Sequence, residues 1–134
     1  MRPEPAPDLP APLTLRLLAP DRVLFASDRH WLHPLFDLEA FLAQDPVDLA
    51  GTLLLDRITG RAAAILMARL GLPQLHTGLL SRRAIPVLER HGIGFRAAAV
   101  VEKIDCATED QLQAIDDLDL AYGLLQERRV RSVR

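Results

Sequence analysis

Apolar and polar positions follow two rhythms along this chain. Leu13-Thr14-Leu15-Arg16-Leu17 alternates at every residue, the period of a strand with one buried face. Pro20-Asp21-Arg22 breaks that pattern as a turn, and Val23-Leu24-Phe25-Ala26 returns as the second arm of a hairpin. The rhythm then lengthens. Leu35, Leu38, Phe41 and Leu42 recur at helical spacing, with His33 or Asp28 leading into the helix. Pro34 sits near the first turn, where its missing N–H leaves no hydrogen bond unmade. Asp45-Pro46 ends the helix.

Strand and helix patterns then take turns. Gly51-Thr52-Leu53-Leu54-Leu55 is an apolar run of buried-strand type. A helix is predicted from Thr59 to Leu70, closed by Gly71 and Pro73. Leu75 to Leu80 reads as a strand, and Ser81 as the N-cap of a helix running through His91 to Gly92. Phe95 to Val101 reads as another strand. This β-α-β-α-β order implies parallel strands joined by crossovers. The alanine triples, Ala62-Ala63-Ala64 and Ala97-Ala98-Ala99, suit close packing of helix on sheet. Thr108 with Gln111 has the form of a capping box, and Asp116-Asp117 can start a last helix carrying Leu118, Ala121, Tyr122 and Leu125.

Composition narrows the organisation. The chain has 134 residues, enough for one domain with its own core. Five prolines fall within residues 1–12, so this stretch is expected to be a flexible arm. The domain proper is expected over 13–128, with a basic tail at 129–134. A formal net charge of −2 gives no bulk electrostatic reason for a nucleic-acid partner. The single cysteine, Cys106, excludes an intrachain disulfide and a multi-cysteine metal site. No apolar run approaches the roughly 18 residues that span a bilayer. The opening Met1-Arg2-Pro3-Glu4-Pro5 lacks the apolar stretch of a secretory signal. A cytoplasmic location with no membrane partner is the expectation, and self-association is left open.

Three segments resemble a small, uncharacterised bacterial domain family. The first is Asp56-Arg57-Ile58-Thr59-Gly60-Arg61-Ala62-Ala63-Ala64, similar to that family's Asp-Lys-x-x-Gly-Lys-Ala-Ala-Ala. The second is Ser81-Arg82-Arg83-Ala84, continuing to Leu88-Glu89-Arg90-His91-Gly92-Ile93. The third is Cys106-Ala107-Thr108-Glu109, followed by Ile115-Asp116-Asp117 and Ala121-Tyr122, although Ala107 stands where the family usually has proline. The likeness runs from about Leu13 to Arg128. It implies a three-layer α/β fold like that of cytidine deaminases: an N-terminal β-hairpin, then parallel strands with helices on both faces. The family has no assigned activity, so the resemblance implies a fold alone.

Chemistry is constrained by what the helix starts contain. A zinc deaminase needs His or Cys with Glu at the start of one helix, and Pro-Cys-x-x-Cys at the start of the next. The corresponding residues here are Thr59-Gly60-Arg61 and Ser81-Arg82-Arg83-Ala84, which supply no zinc ligand. No metal site and no cofactor are therefore expected. The first helix start has a different potential. Its free N–H groups, the unhindered Gly60, and the cations Arg57 and Arg61 suit a phosphate. Asp56 and Thr59 lie at the strand's carboxyl end, where open α/β sheets bind ligands, and Ser81 is expected at the same edge. The ligand-binding set is thus Asp56, Arg57, Thr59, Gly60, Arg61 and Ser81. The expected ligand is a nucleotide or another phosphorylated small molecule. The same segment also reads as a capped helix with two solvated arginines.

Two rival functions follow from other features. Cys106, before a capped helix, is a candidate nucleophile or redox thiol with Glu109 as its base. A protein-interaction module is the third reading. His30, His33, His76 and His91 form no evident ligand set; His30 and His33 are expected at the surface or as caps, and Trp31 as cover for the core. No Walker loop, Gly-x-Gly-x-x-Gly or Gly-x-Ser-x-Gly occurs.

Overall fold

In the computed structural model, the structure describes residues 9–104, 112 and 115–131. The alternating amino-terminal segments form a hairpin, β1 (Leu15–Leu18) paired antiparallel with β2 (Val23–Ser27). Leu15 and Leu17 are buried while Arg16 and Leu18 face a less enclosed side, as the period of two requires. On its other side β1 pairs antiparallel with β3 (Leu53–Thr59). Then β3, β4 (Gln74–Ser81) and β5 (Gly94–Val101) run parallel. The result is a mixed five-stranded sheet of order β2-β1-β3-β4-β5.

Four α-helices with described bounds accompany the sheet: α1 (His33–Gln44), α2 (Arg61–Leu70), α3 (Ile85–Arg90) and α4 (Leu118–Arg131). The central one, α2, touches each of the other three. Ala62, Ala63 and Ala64 are buried on it, and their small side chains permit this close approach. Leu15, Leu17, Leu38, Leu54, Leu75, Leu80 and Leu88 fill the core beside Ile65 and Met67. Gly71 ends α2 in the left-handed region at φ 78, where its amide donates to Ala68 O.

A polar network fastens α4 to α1 and α2. The Tyr122 hydroxyl donates to Glu39 Oε1 at 2.7 Å and accepts from Gln126 Nε2 at 2.5 Å. The Arg69 guanidinium lies 3.6 Å from the Tyr122 ring centroid and donates to Glu39 Oε2 at 2.8 Å. One arginine thus serves a carboxylate and an aromatic face together.

Several boundaries differ from the sequence pattern. The strand expected to end at Leu55 continues to Thr59, because Asp56 to Thr59 keep pairing with Thr77 to Leu80. The helix expected from Thr59 therefore starts at Arg61. The helix expected after Ser81 is split into a 3-10 turn, Arg82–Ala84, and α3. Pro86 lies at the head of α3 and suits that entry. Ser81 is the cap predicted, its Oγ accepting from Arg83 N at 3.1 Å. Asp117 likewise caps α4, its Oδ1 accepting from Asp119 N at 2.9 Å and Leu120 N at 3.0 Å. That helix extends through residue 131, so residues 129–131 are helix rather than tail. Ala98 and Ala99 are exposed on β5, so the second alanine triple does not seat a helix as the first does. The Thr108–Gln111 capping box lies outside the described residues. Among the described residues no helix is long and apolar enough to cross a membrane.

Candidate functional site

The end of β3 positions the chemistry. Asp56 sits between Leu15 of β1 and Thr77 of β4 in the sheet. Its Oδ2 meets Thr59 Oγ1 at 2.8 Å, and Thr59 Oγ1 meets Thr77 Oγ1 at 2.9 Å. Thr59 and Thr77 are fully buried, so this hydroxyl pair is a fixed polar floor within the sheet. Burial raises the Asp56 carboxyl from 3.8 to about 7, against the opposing effects of the Thr59 hydrogen bond and the Arg57 and Ile58 amides. Among the described residues no cation pairs with it.

A cleft of about 320 Å³ opens over this carboxyl. One wall comes from the loop before α1, with Asp28, Arg29, His30 and Trp31, and from Pro34 and Leu35 of α1 itself. Ala11, Pro12 and Thr14 form the side ahead of β1, while Asp56, Arg57 and Ile58 of β3 and Ala63 of α2 complete it. The loop is well anchored. Thr14 Oγ1 donates to Arg29 O at 2.5 Å, Arg29 N donates to Ser27 Oγ at 3.1 Å, and Arg29 Nη1 grips Asp37 at 2.7 and 2.9 Å. Trp31 takes a positive φ of 57, an uncommon conformation for a bulky residue, and its ring packs against His33 and Phe36.

The structure separates the six expected ligand residues. Asp56 and Arg57 line the cleft, and Thr59 supports Asp56 from below. Gly60 precedes α2 as its N-cap, with its carbonyl accepting from Ala64 N at 3.0 Å. Arg57 is exposed and its Nη2 donates to Leu13 O at 2.5 Å and Leu9 O at 3.4 Å. Its Nε and Nη1 have no partner among the described residues. Ser81 is fully buried and occupied as a cap, and it does not line the cleft.

Arg61 corrects the sequence reading most directly. Its expected place was an exposed first turn; it is 5% exposed. Nε donates to Leu112 O at 2.7 Å, Nη2 to Ile115 O at 2.8 Å, and Nη1 to Arg83 O at 3.3 Å. Nη2 also reaches Asp116 Oδ1 at 3.2 Å. The guanidinium therefore staples α2 to the turn after β4 and to the chain entering α4. A buried cation with several carbonyl acceptors is a structural anchor.

Sequence reasoning missed the loop wall. His30 is exposed at the cleft, and His33, expected at the surface or as a cap, is buried at the start of α1. Trp31 is half-buried and borders the cleft besides covering core. The available signal was density: Asp28-Arg29-His30-Trp31 puts four chemically capable side chains in a row just before Pro34, on a loop. Cys106 and Glu109 lie outside the described residues. Among the described residues no group of three His, Cys, Asp or Glu side chains is arranged to hold a metal ion.

Comparison with known proteins fits this architecture. Residues 13–128 match the family model described as TM1506, a domain of unknown function (DUF1893), and the chain belongs to that family. Its structure is similar to that of the DUF1893 family protein TM1506 from Thermotoga maritima, with a TM-score of 0.75 and 20% identity over 87% of this chain and 80% of that one. It is also similar in fold to dCMP deaminase from the cyanophage S-TIM5, with a TM-score of 0.50 and 13% identity over 66% of this chain and 79% of that one. No curated protein matches. The fold is therefore deaminase-like, in a family without an assigned function.

Proposed function

We propose that this domain binds a nucleotide or another phosphorylated small molecule in the cleft above Asp56, and that it has no zinc-dependent deaminase activity. The observation that carries this reading is the polarity of the cleft. Its floor holds a carboxyl with no cationic partner among the described residues, while its rim carries His30 and Arg57 beside Asp28 and an Arg29 already paired with Asp37. A ligand with a nitrogen-bearing ring and a phosphate matches both ends. The ring's N–H groups would meet Asp56, its face would lie along Trp31, and its phosphate would meet the free N–H groups of Arg57. Ala63 brings the first turn of α2 to the same wall, adding the positive end of a helix. The volume is at the small end for ligand sites, which suits a mononucleotide rather than a dinucleotide. The deaminase part rests on residue types: Gly60-Arg61 and Ser81-Arg82-Arg83 supply no zinc ligands where that chemistry would need them.

Calorimetry with nucleosides, mononucleotides and sugar phosphates tests the binding. Wild type is expected to prefer a mononucleotide over its nucleoside. Arg57→Ala should weaken the phosphorylated ligand by about 1.5–3 kcal/mol, the scale of hydrogen bonds to a charged group, and barely change the nucleoside. If no panel member binds, or Arg57→Ala and Trp31→Ala bind as wild type does, the cleft is not the site. Ammonia release from cytidine or dCMP in the presence of zinc would overturn the second part.

A further inference from the structure

The sheet has two margins, and they are unlike. At one, β2 has five residues, and its pairing with β1 shifts register between Leu17 and Leu18. Short length and an irregular register both discourage further strands from adding there. At the other, β5 has eight residues and pairs in continuous register with β4. Among the described residues nothing pairs with its outer edge. Its sequence, Gly94-Phe95-Arg96-Ala97-Ala98-Ala99-Val100-Val101, holds no proline or lysine and a single charge. Ala98, Ala99 and Val100 are exposed, Val100 at 43%. A long, regular, apolar edge presents a row of backbone donors and acceptors ready to template another strand.

Charge selects the occupant. Arg96 precedes Ala99 by three residues, and Glu102 follows it by three. Antiparallel pairing of the segment with itself, centred on Ala99, sets Ala98 against Val100, Ala97 against Val101, and Arg96 against Glu102, twice. From residue 96 to Glu102, one residue past the end of β5, every facing pair is then apolar or oppositely charged. Moving the centre by one residue either way leaves both charges without a match. We propose that β5 pairs antiparallel with β5 of a second copy of this chain, about a two-fold axis at Ala99, making one ten-stranded sheet across a homodimer. Such an interface is isologous, as closed two-fold symmetry requires. Glu102 meets Arg82 Nε at 3.0 Å within the chain, and Arg96 is engaged within the chain as well, but all three residues are exposed, so exchange of these contacts for those across the two-fold axis has little energetic consequence.

Sedimentation equilibrium on the full chain tests the pairing. Wild type is expected to be a dimer at micromolar concentration. Arg96→Glu places like charges opposite one another, and so does Glu102→Arg. Each variant should weaken dimerisation about tenfold, the scale of two facing pairs turned repulsive. An equimolar mixture of the two variants should recover wild-type association, since each then offers the other its missing charge. That rescue cannot arise from misfolding, and melting temperatures serve as a check on each variant. A wild-type monomer at high micromolar concentration, single variants as tight as wild type, or a mixture no tighter than its components would each overturn the proposal.

Discussion

Replacing Arg61 with alanine removes the side chain that joins three distant parts of the chain. Its guanidinium serves the carbonyls of Leu112, Ile115 and Arg83 from a site 5% exposed. Each hydrogen bond from a charged donor contributes about 1.5–3 kcal/mol, and each buried carbonyl left without a donor costs about 1–3 kcal/mol. These effects share one side chain and do not add, and water entering the vacated space recovers part of the loss. The ion pair adds little, because Asp116 is 63% exposed at its side chain. A net destabilisation of about 3–5 kcal/mol follows, against a total of about 5–15 kcal/mol for a typical domain. Lysine should rescue little, since a single ammonium cannot present a planar fork to separated acceptors. The assay is urea unfolding of wild type, Arg61→Ala, Arg61→Lys and Arg57→Ala. The last is the control: exposed, bound to two carbonyls of the amino-terminal segment, and expected within about 1 kcal/mol of wild type. An Arg61→Ala loss under about 1 kcal/mol would refute the role of this arginine as an anchor.

Two further outcomes are expected. Asp56 is held near 7 in the fold against about 3.9 in an unfolded chain, so between these values the native state keeps a proton the unfolded state has lost. Its contribution to stability is full below about pH 4, falls as pH rises to about 7, and is level above; the fall is at most about 4 kcal/mol, three units at about 1.36 each. Unfolding midpoints of Asp56→Asn should lose that limb, and a variant with the wild-type pH slope would show that the carboxyl titrates normally. Gly78 of β4 lies beside β3, where an added Cβ would stand 2.9 Å from the Arg57 carbonyl oxygen. Gly78→Ala should lower stability by about 1–3 kcal/mol in thermal unfolding, as overpacking does, and an unchanged melting temperature would show that the strands part freely there.

Local patterning made much of the fold legible. The alternation of Leu15 and Leu17 with Arg16 located the hairpin, and Ala62-Ala63-Ala64 marked the helix that packs tightly at the centre. Ser81 was recognisable as a cap, and Asp116-Asp117 as a helix start, because capping needs only a polar side chain and the amides that follow it. The errors share a cause, dependence on residues far along the chain. Arg61 looks like any first-turn cation until Leu112 and Ile115, more than fifty residues later, arrive to accept its N–H groups. The apolar run stops at Leu55, yet pairing with β4 carries the strand on through Asp56 and Arg57 to Thr59. Ala97-Ala98-Ala99 has the composition of a packed segment, but composition does not reveal which strand ends at the margin of a sheet. Of the residues lining the cleft, Asp56 and Arg57 were singled out from their place after the apolar run, whereas the wall from Asp28 to Trp31 depends on how the loop folds back across that strand.

Ala11 and Pro12 stand in the wall of the cleft although they precede the first strand. The carbonyls on either side of them, at Leu9 and Leu13, are held by Arg57, which belongs to the strand that also carries Asp56. Leu9 to Pro12 contribute no side chain to the buried core. Shape of the cleft and stability of the domain are therefore separable at this point. A substitution within Leu9 to Pro12 acts on the wall of the cleft and not on the core. A normal melting curve from such a variant would certify the fold while the wall of the cleft is altered, so an unfolding assay alone does not report on the cleft.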